Sequence, residues 1–132
     1  REHKMIDTGK AFSGFSVNDI SKAKEFYSKT LGMKVKEGEM GILELTVSND
    51  AVVIIYPKPN HVPAVFTILN FPVSKIDEAV DELLTRGVAF FFFFYGTIKT
   101  DNKGVMRGNG PNIAWFTDPA GNILSIIETE SM

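Results

Sequence analysis

Phe12–Leu31 reads FSGFSVNDISKAKEFYSKTL, and its change of rhythm decides the fold. Alternation puts Ala11, Ser13, Phe15 and Val17 on one face of a strand, and Phe12, Gly14, Ser16 and Asn18 on the other. From Asp19 the period lengthens to about 3.6 residues. Ile20, Ala23, Phe26 or Tyr27, and Leu31 then form one stripe of a helix. Asn18 or Asp19 can cap its start, and Gly32 supplies its stop.

The same order returns 56 residues later, with Val73 for Val17, Ile76 for Ile20, Ala79 for Ala23 and Leu83 for Tyr27. Gly87 answers Gly32 one residue out of step. A repeat at this spacing implies two similar supersecondary units, so function is sought at their junction.

Working outward, Met33–Glu37, Ile42–Val47 and Ala51–Tyr56 are the remaining strands of the first unit, with turns at Gly38–Gly41 and Ser48–Asp50. The first unit is therefore βαβββ. PKPNHVP follows; its three prolines stiffen it and interrupt strand pairing. The second unit opens with Ala64–Phe71. Ser74 and Asp77 suggest a weak capping box, and Asp77 and Glu78 suit the positive end of the next helix. Ala89–Tyr95 is expected to be a strand, Gly96–Arg107 a long polar connection, and Gly108–Pro111 a turn. Asn112–Thr117 and Asn122–Glu128 close the unit around the tight turn Asp118-Pro119-Ala120-Gly121. Phe90–Phe94 cannot all face one way. Phe90, Phe92 and Phe94 share one side and Phe91, Phe93 and Tyr95 the other, so both sides should be covered.

At 132 residues, 44% of them hydrophobic, one domain is expected, with neither half large enough to stand comfortably alone. The net charge of −2, with no basic patch interleaved with aromatics, speaks against nucleic acid and anionic membrane as partners. No segment reaches transmembrane length and no secretory leader is visible. Arg1 ahead of Met5 suggests a trimmed start. The absence of cysteine excludes disulfides, thiolate ligands and a cysteine nucleophile, and is compatible with a cytoplasmic protein.

Three stretches, VNDISKAKEFYSKTLGM at Val17–Met33, NFPVSKIDEAVDELLTRGV at Asn70–Val88 and WFTDPAGNILSIIE at Trp115–Glu128, together resemble the vicinal oxygen chelate superfamily, the glyoxalase, bleomycin-resistance and extradiol-dioxygenase-like proteins. The resemblance implies an α+β fold in which paired βαβββ modules form a curled mixed sheet around a shared cavity. It implies one domain over 11–128, with modules 11–57 and 64–128 joined by a linker at 58–63. It also implies a homodimer. In metal-using members, ligands come from the first and last strands of each module. Those places correspond here to Phe12, a position near Ile68, Ser125, and Ile54 or Ile55. Phenylalanine and isoleucine offer no lone pair and serine a weak one, so no metal and no cofactor is expected. The only histidines are His3 in the lead-in and His61 in the linker, both read as surface residues.

What remains is an apolar cavity with a few polar points. The ligand-binding candidates are Phe12, Asn70, Phe92, Arg107, Trp115 and Ser125. Trp115 offers a flat surface and one donor, Asn70 both donates and accepts, and Arg107 can bind a carboxylate or phosphate at two points. Tyr95 can cover the pocket. Glu44 is read as a surface or ion-paired group. Glu128 has the wrong parity to share a cavity with Ser125. Ser13, Ser16 and Ser125 show no histidine base, which speaks against a serine–histidine hydrolase. The glycine-rich KGVMRGNGPN lacks the ending and context of a phosphate loop and is read as a hairpin connection or a cover. The expected function is metal-independent binding of a small, partly hydrophobic molecule, with no catalytic residue assigned. The alternatives are a divergent lyase or isomerase of the same class and a structural homodimer packed through its phenylalanine-rich strand.

Overall fold

The computed structural model describes residues 5–48, 51–95, 98–108 and 110–129. Strand β1 (Ser13–Val17) leads into helix α1 (Ile20–Glu25), capped by the Asp19 carboxylate, which accepts from the Lys22 N–H at 3.1 Å. The next turn, Phe26–Thr30, widens to a π-helical one, the Leu31 N–H reaching back to the Phe26 carbonyl. Tyr27 is thereby fully buried and Phe26 half-buried, with their rings edge to face at 5.2 Å. Strands β2 (Lys34–Glu37), β3 (Leu43–Thr46) and β4 (Val52–Pro57) form a meander. β4 also pairs in parallel with β1, giving the order β1-β4-β3-β2.

The second unit repeats this plan. Strand β5 (Thr67–Val73) runs into helix α2 (Ile76–Thr85). A two-stranded hairpin, β6 (Phe94–Tyr95) and β7 (Ile98–Lys99), follows. Strands β8 (Val105–Met106), β9 (Ile113–Thr117) and β10 (Ile123–Glu128) complete a second sheet in the order β5-β10-β9-β8. In both sheets the first strand is parallel to the last and the rest are antiparallel. The answering glycines Gly32 and Gly87 both adopt positive φ, +74° and +88°, which a side chain would strain.

Each helix covers one face of its sheet. Val17, Leu43, Leu45, Val53 and Ile55 are buried beneath α1, and Ala114, Phe116, Leu124 and Ile126 beneath α2; all join one core cluster. Among the described residues, three side-chain hydrogen bonds join one unit to the other. The Tyr27 hydroxyl donates to Asp118 at 2.7 Å, Asn122 Nδ2 donates to the Ser16 carbonyl at 3.0 Å, and Arg86 donates to the Thr30 carbonyl at 2.8 Å.

Two expectations are corrected. Ala89–Tyr95 is not one strand: Phe90 makes an isolated bridge to Phe116, and regular pairing starts only at Phe94. Phe90 is buried edge to face with Phe116, whereas Phe92 is 63% exposed, so the run is not covered on both sides. The capping box at Ser74 does not form. Lys75 occupies the N-cap without a side-chain bond, and Glu128 accepts from the Ile76 N–H at 3.0 Å instead. The turns expected at 48–50 and 108–111, the connection from 96, His3 and the Tyr95 side chain lie partly or wholly outside the described residues.

Candidate ligand-binding site

The alternation that buries one face of each sheet leaves the other face unburied by its helix. On the second sheet that face carries a polar row on neighbouring strands. Ser125 of β10 sits between Asn70 of β5 and Trp115 of β9 in register. The Ser125 hydroxyl donates to Asn70 Oδ1 at 2.5 Å. A register slip between Ile123 and Leu124 pairs Thr67 with Ile123, on the same face as Ser125, and Trp115 Nε1 donates to the Thr67 hydroxyl at 3.1 Å. Phe93 packs edge-on against the Trp115 ring at 5.7 Å, with Phe91 against Phe93 in turn. Ser125 is fully buried, Trp115 half-buried and Asn70 exposed. The row sets one indole, braced edge-on by Phe93, beside an exposed amide, a pair able to stack an apolar ring and hydrogen-bond a polar group.

Of the six candidates, Asn70, Trp115 and Ser125 come together here. Phe12 lies on the first sheet's side of the molecule, 66% exposed, lining a hollow with Glu44 and Ile54. Phe92 lies over Gly104, its ring within ordinary contact of a side chain built there. Arg107 Nη2 donates to Asp77 of α2 at 2.7 Å, and its Nε to Asp101 at 3.0 Å. Asp101 is opposed by burial, yet the Val105 N–H, the Arg107 guanidinium and the Lys103 N–H hold its carboxyl below the usual carboxylate range. Glu128 faces α2, where it also accepts from Asn112 Nδ2 at 2.7 Å.

The linker holds what the sequence reading missed. His61 is not a surface side chain. Its Nδ1 lies 2.6 Å from the Ser16 hydroxyl, and its Nε2 lies 3.2 Å from the Ala120 carbonyl. Both groups are half-buried in a cleft of about 390 Å³ between β1, the linker and β5. Nothing in the residue pattern placed His61 beside Ser16, because a proline-rich linker has no periodicity that orients its side chains.

Two βαβββ units, each with a helix on one face of its sheet, define a paired-module α+β protein. Residues 11–126 match the Glyoxalase/Bleomycin resistance protein/Dioxygenase superfamily, and the chain belongs to it. Among solved structures it is similar to TnmS3, an antibiotic-binding protein from Streptomyces sp. CB03234, at 25% identity over 96% of this chain and 98% of that one, with a TM-score of 0.63. It is also similar to a putative glyoxalase family protein from Bacillus anthracis, at 20% identity over 97% and 99% of the two chains, with a TM-score of 0.65. A V. cholerae integron cassette protein aligns at 21% identity over 97% of both chains, with a TM-score of 0.59. No curated protein matches the chain.

The metal that the resemblance implies for some members is a poor fit to these residues. Gly14 pairs with Ile54 and Asn70 with Ser125 at equivalent places in the two sheets, so Ile54, not the core residue Ile55, answers Ser125. Phe12, Ile68, Ile54 and Ser125 together offer one hydroxyl and no imidazole or carboxylate. Among the described residues no three His, Cys, Asp or Glu side chains gather where a metal ion fits. No helix among them is long and apolar enough to cross a membrane.

Proposed function

We propose that this protein binds a small, partly hydrophobic molecule without a metal, on the open face built from Trp115, Asn70 and Ser125, and that it acts as a homodimer. The single observation that carries the reading is the Trp115–Ser125–Asn70 row, an indole braced edge-on by Phe93 and ending in an amide. Membership of the superfamily supports small-molecule binding in general, and the likeness to the antibiotic-binding protein TnmS3 adds antibiotics to the range. The donor set supports the metal-free part. Arg107, which stands apart from this row beside Asp77 and Asp101, remains a proposed anion contact. An anionic ligand must there displace Asp77 or Asp101, so Arg107→Ala should weaken it by less than about tenfold, that is, less than about 1.4 kcal/mol.

Trp115 is the only tryptophan, so intrinsic fluorescence reports on the site directly. Titration with polycyclic aromatic antibiotics and with arylcarboxylic acids should give saturable quenching or a spectral shift. Chelator treatment should leave it unchanged, and Asn70→Ala should weaken it about tenfold, the worth of roughly one hydrogen bond. No response to any of these compounds, or a response that requires an added divalent cation, rejects the reading.

A further inference from the structure

The cleft between β1 and the linker carries a second arrangement that the binding function does not use. His61 Nε2 faces the Ala120 carbonyl, which can only accept, so in the neutral ring Nε2 carries the proton. Nδ1 is then the free lone pair, and the Ser16 hydroxyl donates to it at 2.6 Å. The serine is itself held in place. Asn122 Nδ2 donates to its carbonyl, and the fully buried Asn122 is fixed in turn by Asp118 at 3.0 Å. The backbone that carries the ring is held too, because the His61 main-chain N–H donates to the Lys58 carbonyl and the Lys58 main-chain N–H to the Val17 carbonyl. A nucleophile, a base in hydrogen-bond reach and a group that fixes the base's tautomer are therefore present together. They line a cleft whose other walls include Phe15, Val53, Tyr56, Phe66 and Ile68, apolar or aromatic side chains suited to an acyl or aryl group.

We propose that Ser16 is a nucleophile activated by His61, and that this cleft takes small activated esters with an apolar acyl group. Ser16 Oγ bonds to the ester carbonyl carbon while its proton passes to His61 Nδ1. The carbon–oxygen bond to the alcohol or phenol then breaks, and the same proton goes to the leaving oxygen. The imidazolium formed on the way is steadied by the Ala120 carbonyl, a dipole in place of the carboxylate of a full triad, so acylation is slow.

An alkyl fluorophosphonate tests this without knowledge of the natural ligand. Attack forms the Oγ–phosphorus bond, breaks the phosphorus–fluorine bond, releases fluoride and leaves the proton on Nδ1. Intact mass should show one phosphonyl group per folded chain, and peptide mapping should place it on Ser16. Ser16→Ala should abolish it. His61→Asn keeps an acceptor near the Nδ1 position but cannot take the proton, and should slow labelling at least about 100-fold, the low end of what a positioned base contributes. The wild-type chain unfolded in urea is a control that needs no variant and should not label. Labelling elsewhere, labelling that survives unfolding, or a His61→Asn rate within about twofold of wild type overturns the proposal and leaves the pair as a tie between linker and sheet. The inference does not rest on Trp115. Fluorescence quenching and Ser16 adduct formation are read separately, and either can fail alone.

Discussion

Tyr27 shows how much one side chain holds in this molecule. It is fully buried, its ring lies 5.9 Å from Phe15, and its hydroxyl crosses to the other module to reach Asp118. Asp118 also accepts from the N–H groups of Ala120 and Asn122, so it is a hub and not a stray charge. Tyr27→Phe removes one donor and leaves its lone pair dry. We expect a loss of about 1–3 kcal/mol in urea denaturation, with the slope of the transition unchanged. Burial first, then the charge of Asp118 and the hydrogen bond to it, push the Tyr27 phenol far above its ordinary value. The sign of the pH effect follows. Above pH about 10 the unfolded chain gives up this proton and the folded chain keeps it, so stability falls as pH rises. The alkaline limb of a stability–pH curve should therefore be shallower in Tyr27→Phe than in wild type; an equal slope excludes Tyr27 as its source. The helix stripe narrowed this core position to Phe26 or Tyr27, and the structure buries Tyr27 fully. Its partner stands 91 positions away, and no local pattern connects the two. Ser16 and His61, 45 positions apart, escaped for the same reason. By contrast, carbon at Phe12, Ile54 and Ile68 was legible, because it concerns residue type at a known place in a strand and no long-range contact.

At the scale of elements, helix α2 borrows its cap. Its N-cap residue is Lys75, which brings no accepting side chain, and the Glu128 carboxylate from the end of β10 takes the Ile76 N–H. The other oxygen of that carboxylate accepts from Asn112, so one glutamate joins the helix start to β10 and the entry of β9. Glu128→Ala should cost about 1–2 kcal/mol, the upper range for a lost cap, because a second bond goes with it. Glu128→Gln keeps an acceptor and should recover more than half of that; denaturant midpoints of the two variants decide it. A variant indistinguishable from wild type shows that water serves the helix end as well. Parity had already set Glu128 apart from Ser125, and the structure shows what it does on its own side. The phenylalanine run was the harder element. High strand propensity at Phe90–Phe94 predicts continuous pairing, but the Gly104 turn comes within 3.0 Å of Phe90 Cβ if given a Cβ of its own. Phe90 turns into the core, Phe91 and Phe93 stack toward Trp115, and Phe92 is left outside. Tertiary packing overrode an element whose period was correct locally.

For the whole molecule, the repeat of two βαβββ units could be read from the order of period changes, and the shared strand order confirms the two units as copies of one plan. Period and parity are local properties, so they survive translation from sequence to fold; how the open faces are covered is not local, and parity alone does not decide it. A single chain also keeps large apolar groups beside the strands in water. Met40 is 86% exposed, Phe12 and Phe66 each 66%. Phe12, Met40, Ile42 and Ile54 line one hollow together with the charged side chains of Lys36, Glu37, Glu39 and Glu44. Isolated exposed apolar residues need no explanation, but a patch of this kind with a polar rim is the surface a partner covers. The homodimer we propose lays a second copy over it. Sedimentation velocity should then show a dimer at micromolar concentration, burying roughly 1,200–2,000 Å² in all if the association is stable. Phe12→Glu places a charge in the middle of that contact and should shift the protein to monomer while leaving circular dichroism unchanged, since Phe12 lies outside the core cluster. The Trp115 titration repeated on Phe12→Glu then separates two forms of the reading. If affinity falls with the dimer, the second copy completes the ligand cavity. If affinity holds, the Trp115 face binds within one chain and dimerisation serves only to cover apolar surface. A wild-type protein that sediments as a monomer throughout rejects the dimer and leaves the exposed Phe12 face to the ligand itself.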